Sequence, residues 1–180
     1  MNARELIKLT LSNINEDTDD TTVNEYREKV LQAVNQGYCE VIRSRYRPAA
    51  TEEMPLTGGK FSLGSLLKKC MRVDTVTSLQ GVPLFYTINA ETVVTVLTDE
   101  PTVQVTYRYM PEPLAQDTDE PEMPMDQHAC LADYAAYRML GTGSRARQLR
   151  GDFFLAAFLR ALARIQPAGL EMEKISHKYG

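Results

Sequence analysis

At 180 residues with a formal net charge of −4, the chain suits one domain of ordinary size, long enough to bury about 70% of its unfolded surface. The acidic balance argues against a dedicated nucleic-acid binder, because phosphate contacts need a surplus of Lys and Arg on one face. Three cysteines (Cys39, Cys70 and Cys130) without a CxxC spacing suggest neither a disulfide framework nor a tetrahedral metal site, and point to synthesis in a reducing cytoplasm.

The opening residues, MNARELIKLTLSN, lack the apolar core of a signal peptide, and no run reaches the roughly 18 apolar residues of a membrane span. Asn2 with Glu5 forms a capping-box start for a short helix over about 2–14. The acidic stretch NEDTDDTT reads as a linker. Thr22 with Glu25 predicts a second capping box, and Val23, Tyr26, Val30, Val34, Tyr38 and Val41 mark one apolar stripe of a long helix over about 22–46. Pro48 stops it, and Gly37, unfavourable within it by about 1 kcal/mol relative to Ala, points to close packing.

Residues 49–60 read as an irregular arm. Four runs rich in Val, Thr and Tyr follow between 71 and 110, separated by turn residues; in the last, Val103, Val105, Tyr107 and Tyr109 alternate with Gln104, Thr106 and Arg108. With no room for crossover helices, these runs predict an antiparallel meander.

Six acids and no Lys or Arg lie between Glu112 and Asp126, whereas Arg138 to Arg164 holds six arginines against the single Asp152. Two readings stay open: a solvated loop beside a basic helix face, or opposite patches that meet their complements on identical neighbours. In EPEMPMDQHACLADYAAYRML, Pro124 and Asp126 read as a helix start, with Met125 stapled on Cys130. His128 and Cys130 then fall on different faces of a helix over about 126–140. Gly141 and Gly143 break this helix and Ser144 caps a last one over about 145–165. Its predicted apolar face carries Ala146, Leu149, Phe153, Ala157 and Ala161, with Phe154, Phe158, Leu162 and Ile165 beside it. The tail after Pro167 spaces Leu170, Met172, Ile175 and Tyr179 among charges, which reads either as disorder in the lone subunit or as a pattern suited to ordering against a partner.

No nucleotide loop, zinc-protease or nucleophile-elbow motif is present, and the acids of 117–122 lack the spacing and glycine of a calcium loop. The expectation is therefore no catalytic, cofactor-binding or metal residue.

The order of parts, from ELIKLTLSNIN and VNEYREKVLQAVNQGYCEVIRSRY through VQVTYRYMPEPL and the acidic spacer to EMPMDQHACLADYAAYRML and FFLAAFLRAL, resembles the head-to-tail adaptor (connector) proteins of tailed bacteriophages. The resemblance implies an α+β fold: an antiparallel helical bundle with an inserted β-meander over about 71–110, forming one adaptor domain over 1–166, and an extended tail over 167–180. It implies a non-enzymatic virion protein at the head–tail junction. Such proteins assemble as a ring, commonly twelve-fold, that joins the portal protein to a tail, stopper or nozzle protein, while the genome DNA passes without specific binding. Interface residues expected on this reading are Arg145, Arg147, Arg150, Ile165, Leu170, Met172, Ile175 and Tyr179. A host regulatory or interaction module and an enzyme of unknown chemistry are the alternatives.

Overall fold

A computed structural model describes residues 1–89 and 92–165. Among them are four α-helices and two antiparallel sheets. The chain divides into two compact units, a helical one from Met1–Tyr46 and the residues from Ala115 onward, and a β unit over Arg47–Leu114.

In the helical unit, α1 (Ala3–Ile14) starts on the expected capping box: Asn2 accepts from Glu5 N, and Glu5 accepts from Asn2 N, each at 2.9 Å. It ends at Asn15 in the left-handed conformation. α2 (Asp20–Ser44) begins earlier than Thr22. Asp19 caps it, accepting from Thr21 N, Thr22 N and the Thr22 hydroxyl. A carboxylate with three donors within reach makes a stronger cap than a hydroxyl, which moves the start toward the acidic linker.

α3 (Ala129–Leu140) packs against α1, α2 and α4 (Arg145–Arg164). Its fully buried Ala132, Ala135 and Ala136 keep that centre thin enough for three neighbours. The Tyr134 ring lies so close to Gly37 of α2 that a Cβ there would meet it at 2.9 Å. Its other side meets Phe158 of α4 edge-on, centroids 4.9 Å apart. Phe158 is fully buried, and truncating such a ring to Ala costs about 3–5 kcal/mol.

The inward face of α4 carries Phe158 and Leu162, with Gly151 against Leu140, instead of the stripe through Leu149 and Phe153. Two apolar stripes run side by side on this helix, and Gly151, where the backbone comes close to α3, selects which one turns inward.

In the β unit, the strands do not follow the sequential order of a meander. β1 (Ala49–Pro55), β6 (Thr102–Met110) and β3 (Lys69–Thr77) form one sheet in the order β1-β6-β3. β2 (Lys60–Ser62), β5 (Val93–Val96) and β4 (Tyr86–Asn89) form the other in the order β2-β5-β4. The stretch expected to be an irregular arm is thus an edge strand, registered from Ala49 opposite Arg108 to Pro55 opposite Thr102. Two consecutive acids and a proline hide that strand from a period-two reading, since its partner lies some fifty residues away. β6 carries the expected alternation, burying Val103, Val105, Tyr107 and Tyr109 in a core drawn from both sheets with Phe61, Val76 and Val94.

Candidate assembly surfaces

The region around His128 and Cys130 begins a helix by a different route from the expected one. Met125–Gln127 forms a 3₁₀ turn, so Asp126 caps nothing and Met125 stands exposed instead of stapling Cys130. The turn meets its own backbone needs: His128 N donates to Met125 O, and Leu131 N to His128 O. His128 is buried. Its Nε2 donates to the Met123 carbonyl at 2.9 Å, and Nδ1 faces the Met1 backbone, with N at 3.0 Å and O at 3.1 Å. Both ring nitrogens are thereby engaged in fixing the α3 start. Burial, with the Asp133 charge adding to it, pushes the Cys130 thiol up to about 12, far from a reactive thiolate. No three His, Cys, Asp or Glu residues come together at metal-ligand spacing among the described residues.

The acidic spacer is anchored at Asp117 and Asp119, while Glu112, Glu120, Glu122 and Asp126 are exposed as a solvated loop would have them. Asp117 accepts from Arg4 Nη1 and from Arg27 Nε, both at 2.8 Å. The Asp119 and Asp117 carbonyls accept from Ala3 N at 2.8 Å and Arg4 N at 3.1 Å, filling two of the free amides at the α1 start. Asp119 also folds the spacer on itself, its carboxylate accepting from Ala115 N and Gln116 N. The Arg27 and Arg4 bonds hold Asp117 below the usual carboxylate range, and those amides do the same for Asp119.

On α4, Arg145 and Arg147 are exposed. Arg150 differs: its Nη2 donates to the Asn13 carbonyl at 2.6 Å and to Asn15 Oδ1 at 2.7 Å. Ile165 is only 2% exposed and belongs to the core of the unit. Leu170, Met172, Ile175 and Tyr179 lie outside the described residues.

Leu149 and Phe153, which the sequence places on an apolar face of α4, stand on its outer side: Phe153 is 63% exposed and Leu149 62%. Gly151 was the available signal, because a glycine inside a helix marks the close-packed side and so the opposite face. A hollow of about 130 Å³ lies on the α2 and α3 surface, lined by Lys29, Gln32, Ala33, Gln36, Arg138 and Met139. In the β unit, Phe85 (85% exposed) and Leu97 (81%) sit opposite one another, with Leu97 N donating to the Phe85 carbonyl.

Asp19, Asp117, Asp119, His128 and Arg150 serve the fold's own caps and turns, while Leu149, Phe153, Phe85 and Leu97 stand exposed. The SU10 adaptor protein family matches residues 1–174, and the chain belongs to this family of phage head–tail adaptors. It is a structural virion component. No curated protein matches the chain. No helix among the described residues is long and apolar enough to cross a membrane.

Proposed function

We propose that copies of this chain form a ring, twelve-fold in the expected case, that joins the capsid portal to a tail, stopper or nozzle protein around the genome channel. The match to the adaptor family across residues 1–174 carries this reading. The apolar and basic outer side of α4 supports it, since a free subunit gains nothing from exposing Phe153 and Leu149. On this reading residues 1–166 act as one adaptor domain, and the tail beyond Gln166, with Leu170, Met172, Ile175 and Tyr179, reaches the portal.

A net charge of −4 suits a conduit through which DNA slides, because a mildly acidic subunit lacks the surplus of Lys and Arg that would release counterions from the duplex. Cryo-electron microscopy of particles carrying the protein tests the proposal directly. A symmetric collar between portal and tail is expected; a protein found elsewhere in the particle, or salt-sensitive duplex binding by the isolated assembly, overturns it. Truncation after Gln166 should leave a folded subunit with weakened portal attachment.

A further inference from the structure

We infer that neighbouring copies in the ring meet through a knob and a hollow, Phe153 on α4 of one copy entering the hollow between α2 and α3 of the next. The inference rests on the ring reading and deepens it by naming the contact.

Four observations point there. Phe153 stands out from α4, and its ring is braced edge-on by Phe154 with centroids 5.6 Å apart, so little rotamer freedom is lost when it is covered. The hollow has the size for it: a cavity of about 150 Å³ takes a benzene ring, and this one measures about 130 Å³ and is open on one side. Its floor is Ala33 and Met139, both nearly buried, while Lys29, Gln32, Gln36 and Arg138 form a rim whose stems and cations suit an aromatic face.

Charge supplies the fourth observation. Arg145, Arg147, Arg160 and Arg164 are exposed on α4, and Glu25, Glu28 and Glu40 on α2. None of them has an ion-pair partner among the described residues. Asp152, the single acid of α4, is next to Phe153 and would meet the cationic rim of the hollow. Lys29, Arg43 and Arg138 are exposed on that same side, so the complementarity is local and not one of whole faces: Arg160 and Arg164 toward Glu25 and Glu28, and Asp152 toward Lys29 and Arg138. A contact between two different patches of one chain is head-to-tail, and its repetition closes a ring when the rotation allows.

Native mass spectrometry of the full chain, alone and added to capsids lacking it, tests the contact. Phe153→Ala and, independently, the hollow-plugging Gln32→Trp should each raise the concentration needed for assembly at least tenfold, with circular dichroism of the monomer unchanged. Arg160→Glu with Arg164→Glu, and Glu25→Arg with Glu28→Arg, should each weaken assembly, and the four together should recover it. Wild-type-like rings from Phe153→Ala and Gln32→Trp, or lost capsid docking with ring formation intact, overturn the inference while leaving the ring standing. A wild-type chain that oligomerises neither alone nor on capsids removes the ring itself.

Discussion

Arg150 closes the end of α1: one guanidinium nitrogen reaches both the Asn13 carbonyl and the Asn15 side chain, tying the last helix of the chain to the first. It thereby satisfies a carbonyl that the end of α1 leaves without a helical partner. The three arginines grouped by sequence as interface residues are therefore not equivalent. Arg150→Ala should cost about 1–2 kcal/mol of stability, the range for a charged donor lost from partly buried acceptors. Arg145→Glu with Arg147→Glu should leave unfolding unchanged and weaken assembly. Denaturant midpoints of the two variants, measured side by side, check this; equal midpoints contradict it.

Gly37 presents a second test. Alanine is the better helix former by about 1 kcal/mol, yet its methyl group would sit 2.9–3.0 Å from three atoms of Tyr134. Tyr134 is held by Phe158 on its other side and cannot retreat without disturbing that contact. Steric cost outweighs propensity, and Gly37→Ala should destabilise by about 1–3 kcal/mol. A stabilised variant would mean that α2 and α3 lie farther apart than described.

Acid sensitivity should trace to the docked spacer. A carboxylate whose pKa is lower in the folded chain adds stability that is present above its unfolded value, near 4, and is lost as pH falls through the folded one. Asp117 is such a group. Asp117→Asn should flatten the fall in urea stability between about pH 5 and 3 relative to wild type. Parallel curves would show that the Arg4 and Arg27 bonds contribute nothing.

Tyr107 makes the opposite prediction at high pH. Burial, with Glu52 reinforcing it, pushes its phenol up to about 12. The hydroxyl donates to Glu52 and accepts from Lys68 N at 3.3 Å. Raised in the fold, the group gives stability that is full below its unfolded pKa near 10 and lost as pH climbs toward about 12. Ultraviolet titration should show Tyr107 ionising late, and Tyr107→Phe should remove its contribution to the late step and cost about 1–3 kcal/mol.

Helices were legible because caps and apolar spacing are local: Asn2, Glu5, Ser144 and the Val23 to Val41 stripe each act within a few residues. The α4 face was misread because two stripes compete and only packing on Leu140 decides between them. β1 was invisible for a different reason, since Glu52 and Glu53 weaken its alternation and its partner β6 is remote. The acidic spacer shows the same limit. Composition marks it as charged, but only the fold brings Arg4 and Arg27 to Asp117.

The entry and exit of the β unit are clamped side by side. Tyr109 N donates to the Pro48 carbonyl at 3.1 Å, and Arg108 Nη1 to the Arg47 carbonyl at 2.9 Å. An insert whose two ends are neighbours can be enlarged, exchanged or excised with little disturbance to the chain that flanks it. The interruption between α2 and α3 is therefore the place where relatives should differ most in length.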